Sequence, residues 1–295
     1  MDVTGTLPED LEAELKAELD AMDAARGAAG VSDDYLRFCE QVAYAHTRAR
    51  AAIRSAVSRQ PVPKNVEAGS RLTLDEVSLD EAVLMTLLED IARASRGEDQ
   101  VDQVRALATA ARQEPGLLTR LTAAATLGDD ARPLQEAARR LGFPPHALLF
   151  MARLLARPFL VEARLRRGEA AELDVRSSDT RNGRCPTCGS SAGLAVLRAE
   201  DGARRLCCLG CDEAWLAPRL MCASCGTRDQ AELATLCVSE GDPRWLEVCD
   251  ACRRYLKTID EARLAGYTIV PMAEDACTLH LDMIAEKEGY VRSAL

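Results

Sequence analysis

Four short stretches of this sequence each hold two cysteines separated by two residues: RCPTCGS at 184–190, LCCLGCDEAW at 206–215, RLMCASCG at 219–226 and EVCDACRRYL at 247–256. Two intervening residues let a tight turn direct both sulfurs at one ion, and two such turns supply the four ligands of a tetrahedral site. The four pairs therefore predict two four-cysteine metal sites. Their predicted ligands are Cys185, Cys188, Cys208, Cys211, Cys222, Cys225, Cys249 and Cys252.

The residues that follow the pairs indicate how the pairs combine. Gly189 and Gly226 follow the first and third pairs, and a glycine there can take positive φ and turn backbone amides towards the thiolates. Asp212 and Arg253 follow the second and fourth pairs. This alternation favours a unit repeated twice, C-x2-C-x19-C-x2-C and then C-x2-C-x23-C-x2-C, and similar spacings are typical of four-cysteine zinc sites. An interleaved pairing is the alternative.

Four thiolates suit both zinc and iron, so we expect two metal ions per chain, iron or zinc. The alternative of redox dithiols is disfavoured because such pairs normally sit in a βαβ setting, which this sequence does not predict. Cys207 adjoins Cys208 and is a weaker competing ligand. The other cysteines are expected to be buried apolar residues and the histidines to be structural. These residues are Cys39, Cys237, Cys277, His46, His146 and His280.

The composition favours helices and disfavours nucleic acid as a partner. The chain has 295 residues, a length that fits about two domains. Aromatic residues make up 4%, and a core rich in Ala and Leu suits helices better than sheets. The formal net charge is -10, which repels a phosphate backbone unless the basic residues are segregated.

The distribution of cysteines divides the chain. Only Cys39 precedes residue 185, and the polar stretch RSSDTRNGR at 176–184 is the predicted linker. We expect a multidomain α and β fold: an N-terminal all-helical domain, then two tandem rubredoxin-like or zinc-ribbon knuckle modules with short antiparallel strands, then a helical tail. The predicted bounds are 1–176 for the helical domain, 177–218 and 219–260 for the two four-cysteine modules, and 261–295 for the tail.

Periodicity and helix breakers locate the elements. Leucines at four-residue spacing and capping residues predict helices over 8–26, 32–56, from 79 onwards, 101–113, 116–126, 130–141 and 146–167. Pro61 and Pro63 predict a break, and Pro158 predicts a kink. Short strands are predicted at 194–197, 205–208, 234–237 and 245–248, and a terminal helix at 274–288.

Several function classes lack support in the sequence. The N-terminus MDVTGTLPEDLEAEL has no basic start and no apolar run, so it does not resemble a secretory signal. The apolar stretch 147–161 contains Arg153 and Arg157 and is too short to span a bilayer. We find no Gly-rich phosphate loop and no Gly-x-Ser-x-Gly elbow. We therefore expect a cytoplasmic protein that is not an enzyme and that binds neither membranes nor nucleic acid.

The ordered segments RCPTCGS, LCCLGCDEAW, RLMCASCG and EVCDACRRYLKTID, followed by LDMIAEKEGYVRS in the tail, resemble the formate dehydrogenase accessory protein family, FdhE. These segments span about residues 184–293. The eight cysteines match the family's four pairs, and residues 254–257 match its segment after the last pair. The helical half agrees in length and in the segment ARPFL at 156–160.

This resemblance implies a cytoplasmic assembly factor, or chaperone, that is needed for active respiratory formate dehydrogenase. It implies contact with the enzyme's catalytic subunit, which bears molybdenum or tungsten and selenocysteine, and iron bound as in rubredoxin. A rubredoxin-like iron redox protein is one alternative. A nucleic-acid-binding zinc ribbon is another, although residues 181–260 hold 11 basic and 11 acidic side chains and lack the basic surplus that such binders show.

Overall fold

The computed structural model describes residues 7–26, 31–57, 70–95, 98–126, 132–168, 173–174, 183–264 and 266–292. The predicted break at Pro61 and Pro63, and most of the predicted linker, lie outside these residues. The chain divides into two compact units. One comprises 1–20, 34–66 and 72–168, and the other comprises 21–33, 67–71 and 169–295.

The N-terminal region is helical, as the sequence predicts. The described helices before the sheet are α1 Glu9–Ala24, α2 Asp33–Val57, α3 Leu74–Val77, α4 Glu81–Ala94, α5 Glu98–Gln113, α6 Leu117–Thr126, α7 Arg132–Leu141 and α8 Pro145–Arg166. Only α3, a single short turn, has no counterpart among the predicted helices. None of the helices in the described ranges combines the length and the apolar character needed to cross a membrane.

Helix α4 shows why these segments fold as they do. The Asp80 side chain accepts hydrogen bonds from the amides of Ala82 and Val83 at 2.8 and 3.2 Å, which caps the start of the helix. Three of its apolar residues, Leu84, Leu88 and Ile91, are fully buried on one face. Burial of each such side chain contributes about 1.5–3 kcal/mol, so this face anchors α4 in the core.

Helix α8 forms the centre of the helical unit. Pro145 occupies its first position, where a missing N–H costs little. Pro158 lies inside the helix. Leu148, Leu155 and Phe159 are at most 1% exposed, and α6 and α7 pack against this helix. The buried Glu162 receives hydrogen bonds from two arginines of α2, so a charged group inside this core is paired.

The C-terminal region contains a mixed eight-stranded sheet. Its strands are β1 Leu173–Asp174, β2 Leu194–Leu197, β3 Arg204–Cys207, β4 Ala214–Ala217, β5 Leu233–Leu236, β6 Arg244–Cys249, β7 Arg254–Asp260 and β8 Val291–Arg292. The order is β1-β4-β3-β2-β7-β6-β5, and β8 pairs with β7. The four predicted strands are present with shifts of at most one residue at either end, whereas β1, β4, β7 and β8 were not predicted.

The sheet is antiparallel within each module and parallel between the modules. Strands β2, β3 and β4 form one antiparallel group, and β5, β6 and β7 form the other. Strand β2 pairs in parallel with β7, so both modules share one sheet. The predicted fold class, a helical region followed by two knuckle modules, is confirmed; the expectation of antiparallel strands omitted the parallel pairs.

Two helices pack on one face of the sheet. They are α9 Pro271–Cys277 and α10 Leu279–Lys287, where one continuous helix was predicted. Thr278 separates them, and its hydroxyl donates a 2.6 Å hydrogen bond to the carbonyl of Glu274. The backbone of Thr278 has φ -110° and ψ 29°, outside the helical region, and this residue therefore interrupts the helix. Leu281 and Ala285 of α10 pack on Leu246, Val248 and Tyr255 of the sheet.

Candidate metal centres

The structure brings the eight predicted sulfurs together as two groups. The first group is Cys185, Cys188, Cys208 and Cys211, and the second is Cys222, Cys225, Cys249 and Cys252. Within each group all four sulfurs lie within 4.8 Å of one another. The pairs therefore combine consecutively along the chain, and the interleaved arrangement is not observed. We call these groups the first cluster and the second cluster.

The spacing of the sulfurs suits a tetrahedral metal ion. Four sulfurs at about 2.3 Å from one ion lie about 3.8 Å from each other. The closest contacts between pairs are 3.4 and 3.5 Å in the first cluster and 3.7 and 3.8 Å in the second. Because all the donors are cysteine sulfurs, the chemistry suits zinc or iron. The two clusters thus suggest two metal sites per chain.

Backbone amides in the turns point at the sulfurs. The amides of Ser224 and Cys225 lie 3.3 and 3.5 Å from Cys222 Sγ, and the amide of Gly210 lies 3.3 Å from Cys208 Sγ. Burial alone would raise the pKa of the Cys222 thiol, but the amides of Cys225 and Ser224, together with hydrogen bonds from the Cys225 and Cys252 thiols, lower the pKa. The turn therefore favours the thiolate, which is the form that binds metal.

All four turns end in a left-handed residue. The φ values of Gly189, Asp212, Gly226 and Arg253 are 78°, 59°, 77° and 54°. The sequence predicted this conformation only for the two glycines. The structure extends it to Asp212 and Arg253, because each pair must reverse the chain in the same way to direct two sulfurs at one point.

The clusters differ in exposure. The four cysteines of the first cluster are at most 2% exposed. In the second cluster Cys249 is 2% and Cys222 is 8% exposed, but Cys252 is half-buried and Cys225 is exposed. The spacing of the cysteines carries no sign of this difference.

The cysteines outside the clusters have other environments. Cys207 packs with Val196 and Ile259, and burial raises its pKa to about 12, so it is an apolar core residue. Burial also raises the pKa of Cys277 to about 11. Cys237 is exposed, so the expectation that it would be buried is wrong: it follows β5, the last strand of the sheet, where burial of neighbouring residues is low. Cys39 is half-buried.

The histidines lie outside both clusters. His46 is buried and its Nε2 lies 3.0 Å from the carbonyl oxygen of Leu154. Burial, reinforced by nearby arginines, lowers its pKa to about 3, so it is neutral at physiological pH. His146 is exposed and His280 is half-buried. Trp215 is fully buried in β4, whereas Trp245 is half-buried.

Sequence reasoning missed one feature of the second cluster. A cavity of about 310 Å³ lies beside it, and Cys222 and Cys249 form part of the wall. Leu220, Met221 and Trp245 also line it. The apolar pair Leu220-Met221 directly before the third cysteine pair is the one local sign of such a surface in the sequence.

Comparison with known proteins finds similarity to FdhE proteins over part of the chain. Residues 220–295 match the family model described as FdhE, C-terminal domain. A protein FdhE homolog of Aquifex aeolicus is 35% identical over 111 residues, which is 37% of this chain and 38% of the relative. A protein FdhE homolog of Haemophilus influenzae (strain PittEE) is 31% identical over 113 residues, or 38% of this chain and 36% of the relative. These matches span a little over a third of each relative.

A solved structure resembles the chain over nearly its full length. It is the crystal structure of the FdhE protein from Pseudomonas aeruginosa, with a TM-score of 0.59 and 21% sequence identity, and the likeness covers 98% of this chain and 96% of that one. At this identity the likeness shows the shared fold. The chain is therefore similar to FdhE proteins: its residues 220–295 match their C-terminal domain by sequence, and nearly its whole length shares the fold of the solved structure.

Proposed function

We propose that this protein is an accessory factor required for the maturation or activity of formate dehydrogenase. It binds the enzyme's catalytic subunit through a scaffold held together by two metal ions. One observation carries the proposal: the eight cysteines of the four pairs lie together as two four-sulfur clusters, and the second cluster falls within the residues that match the C-terminal domain of FdhE. Because a small knuckle has little core of its own, loss of the metal removes the binding surface along with the fold.

The eight clustered cysteines are the proposed ligands of two ions, iron or zinc. When bound, either ion cross-links four chain positions, and iron additionally offers a one-electron couple. The division into 1–176, 177–218, 219–260 and 261–295 belongs to the same proposal. The proposal also includes a cytoplasmic protein that binds a partner rather than catalyses a reaction, and that binds neither membranes nor nucleic acid. The equal numbers of acidic and basic residues in 181–260 support the absence of nucleic-acid binding.

A gene deletion tests the proposal. We expect cells without this protein to lose most formate dehydrogenase activity, and a plasmid copy to restore it and to co-purify with the catalytic subunit. Cys185→Ser and Cys249→Ser should each lower the metal content from two ions to one and fail to restore activity. Cys207→Ala is the matched control, because this neighbouring cysteine lies outside the clusters and alanine adds no polar group to its apolar site, and it should restore activity. Undiminished activity in the deletion strain would refute the proposal.

The exposure of Cys225 favours a second candidate function, electron transfer through an iron-loaded second cluster. Electron donors need close access to the metal, and the second cluster has an exposed ligand. Potentiometry on anaerobically purified protein tests this candidate. A reversible one-electron couple at a physiological potential would support it, and protein that contains only zinc in the cell would exclude it.

A further inference from the structure

The cavity beside the second cluster has the size and lining of a binding site. Its volume, about 310 Å³, is at the lower end of the range of ligand pockets, and it can take a few side chains. Leu220, Met221, Trp245 and Leu256 supply apolar walls. Leu220 is 58% exposed, which is unusual for a leucine that borders a cavity and leaves apolar surface at its mouth.

An open strand edge adjoins this cavity. Strand β5 is last in the sheet order and pairs only with β6 within the described part of the chain. Its residues Leu233, Ala234 and Thr235 line the cavity, and Ala234 and Thr235 are exposed. A free edge presents backbone N–H and C=O groups to which an extended peptide can add as a further strand.

The charged side chains in the lining of the cavity are two arginines and one glutamate. Glu247 is the one acidic residue in the lining, and it forms a 2.5 Å ion pair with the buried Arg204. Arg219 and Arg254 also line the cavity, and they donate hydrogen bonds to the carbonyls of Gly202 and Arg292. Neither has a carboxylate partner among the described residues, and a carbonyl does not cancel their charge.

We propose that the groove formed by this cavity and the free edge of β5, here called the β5 groove, binds an extended segment of a partner protein. The segment adds to β5, inserts an apolar side chain beside Trp245 and places a carboxylate near Arg219 and Arg254. This inference rests on the proposed function, since the partner is the catalytic subunit of formate dehydrogenase. It goes further by naming the surface and the chemistry of the segment.

Binding to overlapping 15-residue peptides that cover the catalytic subunit tests the apolar part of this proposal. The full metal-loaded chain should bind peptides that combine apolar and acidic residues. Leu220→Asp should weaken binding by about tenfold or more, because it places a charge at the mouth of the groove. Met283→Asp is the matched control, because Met283 is 61% exposed but lies on α10, outside the lining of the cavity. The peptide affinity of this variant should stay within about twofold of wild type.

Charge reversal tests the acidic part. Arg219→Glu should weaken binding by about tenfold, and replacing the peptide's acidic residue by lysine should restore it. Arg228→Glu, an exposed arginine outside the lining, should have little effect. If instead Arg219→Glu lowers the metal content and leaves peptide affinity unchanged, the arginine serves the thiolate charge of the cluster, and the acidic part of the proposal is wrong.

The outcomes separate this inference from the proposed function. If both groove variants bind the peptides and the whole subunit as wild type does, and restore formate dehydrogenase activity in the deletion strain, the β5 groove is not the docking surface while the accessory role stands. If wild type binds none of the peptides, the groove proposal also fails. If deletion leaves formate dehydrogenase activity intact, the accessory role itself fails.

Discussion

The first and second clusters are built from the same turn but differ in what surrounds them. The first is enclosed. The side chain of Leu209, in one of its turns, lies against Gly193, where an added Cβ would come 2.3 Å from the Leu209 Cγ. The Thr187 hydroxyl donates a 2.6 Å hydrogen bond to Glu213 and so joins the cluster's two turns. The second cluster borders a cavity and exposes Cys225.

This difference separates two properties that a cysteine motif combines. The spacing of the ligands specifies which sulfurs can share an ion, and it is nearly the same in both modules. The neighbouring residues decide whether solvent or another molecule reaches that ion. We infer that the first cluster mainly supports the fold, whereas the second can also take part in contacts with a partner.

The largest expected effect is the loss of a ligand from the enclosed cluster. Cys208→Ser should reduce the metal content from two ions to one and unfold strands β2–β4. Structural zinc contributes about 10–16 kcal/mol in small domains, which exceeds the stability of a typical domain. Cys225→Ser should also release one ion but leave β2–β4 protected. Metal analysis and hydrogen exchange of these strands measure both effects, with Cys207→Ala as the control.

Equal loss of protection in Cys208→Ser and Cys225→Ser would break the comparison. It would mean that the shared sheet makes the two modules one cooperative unit, so that either ion supports both.

The next effect concerns the link between the modules. Arg204 of β3 is 1% exposed and forms an ion pair with Glu247 of β6, so it joins the two strand groups in addition to the β2–β7 pairing. Glu247→Leu should destabilise the C-terminal unit by about 3–5 kcal/mol, because it leaves a buried guanidinium without a counter-charge. Chemical denaturation at saturating metal measures this cost.

The double variant Arg204→Met/Glu247→Leu is the control for this prediction. It removes the buried charge with its partner, so it should recover most of the lost stability. A double variant no more stable than Glu247→Leu would show that Arg204 supports the fold through packing and its hydrogen bond to the carbonyl of Pro218 rather than through charge.

A smaller effect should appear in thiol reactivity. Peptide mapping after brief iodoacetamide treatment of metal-loaded protein should find Cys225 modified about tenfold or more faster than Cys188, because access limits the reaction of a buried sulfur. The exposed Cys237, which lies outside both clusters, provides the reference for an unprotected thiol. Similar rates for Cys225 and Cys188 would contradict the difference in access on which the comparison depends.

The sequence predicts the parts of this molecule that depend on local spacing. Two residues between cysteines specify a turn, the order of glycines indicates consecutive pairing, and leucine periodicity locates the helices. Each of these patterns lies within one element or between neighbouring elements, where geometry follows directly from residue separation.

The features that it does not predict depend on distant contacts. Strand β7 lacks the alternating polar pattern of a surface strand. It contains Lys257, which is 2% exposed. Its ammonium group is buried because Asp275 and Asp282, from α9 and α10, lie 3.0 and 2.6 Å away. No local pattern shows that these carboxylates will meet it. The exposure of Cys225 and the cavity beside it likewise result from how the modules pack.

The left-handed residues of the turns give the last and smallest prediction. Gly189→Ala and Gly226→Ala should each destabilise their cluster by about 1–2 kcal/mol, because a Cβ is unfavourable at positive φ. Asp212→Gly relieves the strain of a Cβ at positive φ in the folded state, but the glycine also gives the unfolded chain more conformational entropy. Because these two effects oppose each other, the free energy of unfolding should change by less than about 1 kcal/mol. Denaturation at saturating metal measures all of these changes.

Arg253→Gly at the equivalent position of the second cluster should behave differently from Asp212→Gly. Arg253 stacks on Tyr290 at 4.0 Å, pairs with Asp250 and donates to the carbonyl of Glu288, so it ties the turn to the C-terminal segment. Loss of these exposed contacts should cost about 1 kcal/mol beyond the relief of strain. If Arg253→Gly instead proves as neutral as Asp212→Gly, these contacts contribute nothing measurable, and the turns of the two clusters are equivalent in this respect.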